Sequence, residues 1–233
     1  FMIYVMSDLH GCYEPYKKML ELIQFSKNDM LYILGDITDR GNEGIRILQD
    51  MMNYPNIVPI LGNHDYMMYE VCSMESDIDR NKNVERINTT LMALRFAWIS
   101  DGGKPTLEQF KKLSYDQQKV ILEYLKEFRL YDQVTVNGKK YLLIHAGVNK
   151  TTDLSRPETI TLDEAIATRL DYDTVYHPSV ILVSGHTPTV AIDPLMKGQI
   201  IIQNNHIAVD CGCVLHMGLG CLCLDTIQTV YVS

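Results

Sequence analysis

At 233 residues the chain has room for one domain, or one domain with a large insertion, and its 46% apolar content suits a globule with a real core. A formal charge of −8 and a pI near 5.3 argue against broad electrostatic binding of nucleic acid. No apolar run approaches the roughly 18–20 residues that span a bilayer, and Asp8 and His10 interrupt the only N-terminal apolar stretch, so neither a membrane segment nor a secretory signal is expected.

The first 65 residues alternate apolar runs with helical patterns. Residues 2–6, 30–34 and 57–61 read as strands. Residues 16–25 read as a helix with Met19, Leu20, Leu22 and Ile23 on its apolar side, and 45–52 as a second. This alternation predicts a parallel α/β sheet. Asp8, Asp36 and Asn63 then fall just past the carboxyl ends of their strands, where open α/β sheets bind ligands. Met67 and Met68 are expected to pack in a helix that begins there.

Over residues 66–130 the strand signals vanish, which predicts a helical insertion beside the sheet within a single domain of residues 1–233. Ile87, Leu91, Leu94 and Trp98 mark one apolar stripe at helical spacing, which favours a core position for Trp98. The polar stretch 76–85 reads as a mobile loop. Asp101-Gly102-Gly103-Lys104-Pro105 stops the helix, and 107–113 and 115–128 read as two more. Strands return at 134–136 and 141–144, flanking the hairpin signal Asn137-Gly138. Residues 161–168 are helical in pattern. Short runs at 180–183, 200–203, 207–209 and 222–224 predict a second, antiparallel sheet.

Three blocks occupy the first quarter of the chain: Asp8-Leu9-His10-Gly11, Gly35-Asp36-Ile37-Thr38-Asp39-Arg40-Gly41 and Gly62-Asn63-His64-Asp65. Two later ones are Leu143-Ile144-His145-Ala146-Gly147 and Ser184-Gly185-His186-Thr187-Pro188. Each alone also reads as a turn or a helix cap. Their joint occurrence, with four of seven histidines inside them, argues for a site. The set resembles the calcineurin-like phosphoesterases, and within them the phosphoprotein phosphatase branch, nearest the small bacterial and phage serine/threonine phosphatases. Trp98-x-x-Asp101-Gly102-Gly103 is similar to a Trp-x-x-Asn-Gly-Gly segment of bacterial members, with Asp for Asn.

The resemblance implies an α/β sandwich of two mixed β-sheets flanked by helices. It also implies two divalent cations, one held by Asp8, His10 and Asp36, the other by Asp36, Asn63, His145 and His186. The mixed nitrogen and oxygen donors suit manganese above all, with iron or zinc as alternatives. A metal pair clamps phosphate and activates a bridging water for in-line attack on phosphorus. His64 is implied as general acid for the leaving oxygen, with Asp39 orienting its ring. Arg40 and Asn63 are implied as phosphate ligands. A second phosphate-binding arginine is expected between the two later histidines: Arg169 by position, with Arg156 as competitor and Ala167 where the family usually carries tryptophan.

The main expectation is a metal-dependent phosphomonoesterase acting on phosphoserine or phosphothreonine in proteins or peptides. The alternative is a hydrolase of dinucleoside polyphosphates such as diadenosine tetraphosphate. Those relatives share Gly-Asn-His-Asp, with Asp65 where many protein phosphatases carry Glu. A binding scaffold without catalysis is the third reading, disfavoured because the ligand set, His64 and Asp39 are all present. Cys211, Cys213, Cys221 and Cys223 read as small apolar residues of two strands, with structural zinc or a disulfide as alternatives; reduced thiols in the cytoplasm are expected. His177, His206 and His216 read as surface or satisfied core residues, and Asp210-Cys211-Gly212-Cys213 as structural.

Overall fold

The computed structural model describes residues 1–78 and 84–233, and side-chain detail covers these except 77, 78 and 84–88. β1 (Ile3–Met6), α1 (Tyr13–Leu22), β2 (Met30–Ile33), α2 (Gly44–Met51) and β3 (Ile57–Pro59) follow the expected alternation with slightly shifted ends. The three strands are mutually parallel, Tyr4 opposite Leu31 and Leu31 opposite Ile57. Next come α3 (Asn63–Ile78), α4 (Val84–Trp98), a π-type turn over Ile99–Gly103, α5 (Lys104–Phe110) and α6 (Tyr115–Lys126). Of the loop expected over 76–85, residues 76–78 and 84–85 are helical and 79–83 lie outside the described residues. Leu91 and Trp98 are buried on the α4 stripe and Leu94 is half-buried; the side chain of Ile87 lies outside the description.

β4 (Tyr131–Val136) and β5 (Lys139–Ile144) form the predicted hairpin, with Asn137 and Gly138 both at positive φ (49° and 76°), as a type I′ turn requires. After them come α7 (Leu162–Ala167), β6 (Val180–Ser184), α8 (Thr189–Ile192), β7 (Ile201–Gln203), β8 (His206–Ala208), β9 (Leu219–Cys223) and β10 (Thr229–Val232). β10 was not expected. Two five-stranded mixed sheets result, ordered β10-β9-β1-β2-β3 and β4-β5-β6-β8-β7.

The expectation of an antiparallel second sheet is corrected. β5, β6 and β8 run parallel, and only the outer β4 and β7 are antiparallel to their neighbours. β9 does not join this sheet at all; it returns antiparallel beside β1. The reason lies in the connections: β5 to β6 and β6 to β8 are long crossovers, which place strands parallel, whereas tight turns would reverse them.

The two sheets face each other across an apolar interior that includes Val5, Leu34, Leu143, Val183, Val209 and Leu222. Helices α1 to α6 cover the outer face of the first sheet through Met19, Leu48, Trp98 and Leu125. α7 and its flanking loops cover the second through Ile144, Ile166 and Leu182. The buried cysteines are free thiols within this packing, and no cysteine belongs to a metal-competent group among the described residues. None of the described helices is long and apolar enough to cross a membrane.

Candidate metal centre

Two parallel trios of strands point their carboxyl ends at one place. Asp8 and His10 follow β1, Asp36 follows β2, and Asn63 follows β3 as the first residue of α3. His145 follows β5, His186 follows β6, and Asp210 follows β8. The backbone there is unusual. Asp8, His10, Asp36, Asp39, Arg40 and His186 all take φ between 42° and 71°, a left-handed region that costs an L-residue roughly 1–2 kcal/mol. Main-chain hydrogen bonds hold these turns: Asp8 N–H to Gly35 C=O (3.1 Å), His10 N–H to Asp36 C=O (2.8 Å), Gly11 N–H to Ile37 C=O (2.9 Å). Asp65 lies beneath, accepting the backbone N–H groups of Ile37 (3.1 Å) and Thr38 (3.2 Å). Buried and turned onto the loop, it acts as a clamp. Gly62 is required by close approach: a Cβ there would meet the backbone and carboxylate of Asp36.

Asp36 is the centre of the constellation. Its Oδ2 is 3.5 Å from His10 Nε2 and 4.0 Å from His64 Nε2, and its Oδ1 is 3.5 Å from His145 Nε2. The far nitrogens of those rings are already committed. His10 Nδ1 donates to the Thr38 carbonyl (2.9 Å), His145 Nδ1 to the Leu34 carbonyl (2.6 Å), and His64 Nδ1 to Asp39 Oδ2 (2.8 Å). With these tautomers, assigned from the hydrogen-bond partners, each Nε2 turns a lone pair inward. Asn63 Oδ1 completes the second side, 3.1 Å from both His145 Nε2 and His186 Nδ1. Burial holds the His10 and His145 rings far below the ordinary histidine range and takes His186 down to about 4, so all three are neutral donors.

Lone pairs facing lone pairs around a shared carboxylate are what divalent cations satisfy, and the nitrogen and oxygen mix fits transition metals. Two donor groups emerge, His10/Asp36/His64 and Asp36/His145/His186, with Asp36 common to both. Asp8 is in neither. Its Oδ2 accepts the Ser7 hydroxyl and the His186 N–H (2.9 Å). Burial, then the neighbouring charges of Asp210 and Asp36, push Asp8 well above the carboxylate range; burial also raises Asp36 strongly and takes Asp210 to about 6. A pocket that confines three carboxylates calls for positive charge.

Asp39 Oδ2 receives a second donor, Trp98 Nε1–H at 2.7 Å. Trp98 is thus the core residue its stripe predicted and also a support of the His64–Asp39 pair. The helical stretch is stitched to the site at further points: Asp39 N–H donates to Thr106 Oγ1 (2.8 Å) and Arg40 N–H to the Gly102 carbonyl (2.9 Å). The Arg40 guanidinium lies against His10 Nε2 (2.7 Å) and His64 Nε2 (2.9 Å). Asp101 closes this corner, Oδ1 3.5 Å from Arg40 Nη2 and Oδ2 3.6 Å from His64 Nε2.

On the other side Arg169 donates to Thr187 Oγ1 (3.1 Å), next to His186. A cavity of about 480 Å³ opens there, lined among others by Arg169, Thr187, Asp193 and Gln203. Arg156 is exposed and paired with Glu158 (3.4 Å). The structure therefore gathers Asp8, His10, Asp36, Asp39, Arg40, Asn63, His64, His145 and His186 in one place, with Arg169 at the rim. Sequence reasoning gave no site role to Asp101, although its segment is similar to a family one, nor to Asp210, which it reads as structural. His206 differs from its reading: it is buried between Tyr172 and Tyr176, and neither ring nitrogen has a hydrogen-bond partner among the described residues.

A family model for calcineurin-like phosphoesterases matches residues 1–209. A bis(5'-nucleosyl)-tetraphosphatase (symmetrical) from Wigglesworthia glossinidia brevipalpis is 29% identical over 154 residues, 65% of this chain and 47% of that protein. One of the same name from Chromobacterium violaceum is 25% identical over 195 residues, 83% of this chain and 59% of the relative. The chain thus spans about half the length of the curated relatives it matches. The crystal structure of a metallophosphoesterase from Sphaerobacter thermophilus superposes with a TM-score of 0.54 at 14% identity, covering 99% of this chain and 86% of that one. This chain belongs to the calcineurin-like phosphoesterase family, and its fold is that of the metallophosphoesterases.

Proposed function

We propose that the chain, read as one metallophosphoesterase domain with residues 66–130 as its helical insertion, hydrolyses phosphate esters or anhydrides at this centre. Asp8, His10 and Asp36 would hold one divalent cation, and Asp36, Asn63, His145 and His186 the other, with manganese the first choice. The observation that carries the reading is Asp36, within 3.5–4.0 Å of three inward-facing histidine Nε2 atoms. Such cations, when bound, supply Lewis-acid charge and an activated water.

The chain's own residues do the rest. Arg40 presents a planar fork of donors to phosphate oxygens, and Arg169 adds a second guanidinium from the opposite rim. The first turn of α3, which carries Asn63 and His64, adds the positive end of a 16-residue helix. For the acid step His64 must carry a proton on both nitrogens: it would give the Nε2 proton to the departing oxygen while its Nδ1–H stays bonded to Asp39.

For the substrate, the relatives' name favours a dinucleoside tetraphosphate cleaved symmetrically, ahead of the phosphoprotein reading. The second reading is phosphoserine or phosphothreonine in a protein. Under either reading the Trp98–Gly103 segment, similar to one in bacterial members of the family with Asp for Asn, touches Asp39, Arg40 and His64 directly. The deciding experiment supplies manganese and offers a phosphothreonine peptide and diadenosine tetraphosphate side by side. ADP as the favoured product supports the first reading, and preferential phosphate release from the peptide supports the second. Turnover of neither, with metal bound, would overturn both substrate readings.

A further inference from the structure

We infer that Asp101 is a specificity-determining residue: its carboxylate beside His64 Nε2 selects for phosphate esters whose leaving group is uncharged or cationic and against those whose leaving group is anionic. The inference rests on the phosphoesterase reading above and supports its second substrate, phosphoserine or phosphothreonine, because symmetric cleavage of a dinucleoside tetraphosphate expels an anionic nucleotide.

The placement of Asp101 is built in. Gly102 takes φ of 105°, and a Cβ there would come within 2.8 Å of Arg40 Cγ. A Cβ on Gly103 would run into the Trp98 indole. The Gly102 carbonyl accepts the Arg40 N–H, so this turn and the Asp39–Arg40 turn lock together. Asp101 is thereby carried to the mouth of the site, where its side chain is 54% exposed while His64 is 1% exposed. Its two oxygens face Arg40 Nη2 and His64 Nε2 at 3.5 and 3.6 Å.

The His64 Nε2 atom is where a leaving oxygen must arrive to take its proton. A leaving group that reaches it lies beside the Asp101 charge. An alcohol departs neutral once protonated and feels little of that field. A nucleotide or carboxylated leaving group brings negative charge of its own. At about 4 Å in a water-like medium one pair of like charges is worth roughly a fivefold rate factor. Arg40 offsets part of this for the phosphoryl group being transferred, which it faces, and less for a group on the solvent side. An asparagine here would donate and accept hydrogen bonds without adding charge, so the Asp in this chain changes the field and not the shape.

The test uses the full chain with manganese, as wild type, Asp101→Asn and Asp101→Glu, on 4-nitrophenyl phosphate and on the same ester with a ring carboxylate. Dividing each variant's kcat/KM by the wild-type value on the same substrate removes the intrinsic reactivity of the two phenols. Asp101→Asn should favour the carboxylated ester about fivefold at low salt, shrinking as ionic strength rises. Asp101→Glu should keep the wild-type ratio within about twofold, because the charge remains. An unmoved ratio in Asp101→Asn, or equal losses on both esters, overturns the inference while the phosphoesterase reading stands. Failure of the wild type to hydrolyse either ester overturns this inference; failure on the phosphothreonine peptide and diadenosine tetraphosphate as well overturns the phosphoesterase reading.

Discussion

The half of the centre built on the first sheet and the half built on the second are held by different means. On the first sheet, five residues in left-handed backbone conformations are pinned by main-chain hydrogen bonds, by the Asp65 clamp and by contacts from the helical stretch at Trp98, Gly102 and Thr106. On the second, His145 and His186 stand at strand ends, only His186 of the two in a left-handed conformation, and Arg169 is tied to the site by one hydrogen bond to Thr187. The loop that leads to Arg169 depends on the Thr161–Glu164 capping box. The lesson is that backbone strain has been concentrated where several side chains must keep a fixed mutual geometry, while the substrate-facing rim rests on ordinary side-chain bonds.

Asp36 joins the two halves, and its removal should have the largest effect. Asp36→Asn retains an oxygen to accept the His64 N–H, now 3.0 Å from Oδ1, but loses the shared charge. Elemental analysis should find both metals lost, and kcat/KM should fall by roughly a thousandfold or more. Full metal content with retained turnover would sink the shared-carboxylate assignment and, with it, the view of two halves around one joint. The support from the helical stretch is the next to break. Trp98→Phe keeps the ring in the core and removes the donor to Asp39. A loss of about tenfold in kcat is expected on alkyl phosphates, with a smaller loss on 4-nitrophenyl phosphate, since only the poor leaving group depends on a well-aligned His64. Equal losses on both would mean that Trp98 acts through the fold and not through the acid.

The contrast also explains what could be read from the chain. The first-sheet blocks are contiguous, each directly after an apolar run, so a parallel β-α-β pattern placed Asp8, Asp36 and Asn63 correctly relative to their strands. The same pattern says nothing of left-handed φ at Asp39 or Arg40, because only a glycine advertises such a backbone and these positions carry side chains. In the second half, partners are set by crossovers: β8 beside β6, and β9 back beside β1, across more than 200 residues. Short apolar runs of three to five residues do not encode their neighbours. Trp98 was legible as core because a stripe shows periodicity, and its N–H bond was not, because periodicity carries no direction for a polar atom. Asp210 was legible only as structural; its charge matters because β8 ends beside β6.

A weaker second half should reveal itself in acid. Burial alone would raise Glu164, but hydrogen bonds from Thr152 and from the Thr161 and Asn149 backbone outweigh it and take the group down to about 2. A depressed carboxylate contributes stability that is present above its unfolded pKa near 4.3 and lost as pH falls toward 2. Glu164→Gln should therefore lower the melting temperature at pH 7 by the equivalent of about 1 kcal/mol after solvent screening, with the difference closing between about pH 4.5 and 2. If the loop steadies Arg169, KM should rise in the variant with kcat little changed. A constant difference in melting temperature across that range would mean that the lost bonds, and not the charge, account for the effect.

The smallest effect belongs to His206, beneath the loop that bears Tyr172 and Tyr176. Its ring centroid lies 5.4 Å and 5.1 Å from theirs, and neither nitrogen has a hydrogen-bond partner among the described residues. Burial lowers its pKa, the nearby charge of Asp171 opposing only in part. The folded state thus keeps the ring neutral where the unfolded chain, titrating near 6.5, takes up a proton. Stability due to a neutral His206 is present above that pH and falls away as the solution is acidified, no more steeply than about 1.4 kcal/mol per pH unit. His206→Leu removes the titration and the unpartnered nitrogens at the expense of two ring contacts. The variant should be within about 1 kcal/mol of the wild type at pH 8 and gain on it steadily from pH 6.5 down to 5, read as the difference in chemical denaturation midpoints. Asp36, Asp8 and the Asp65 clamp also titrate in acid, but they are common to both proteins and cancel in that difference. A gap that does not move with pH would mean that His206 contributes nothing to acid sensitivity in the second-sheet half.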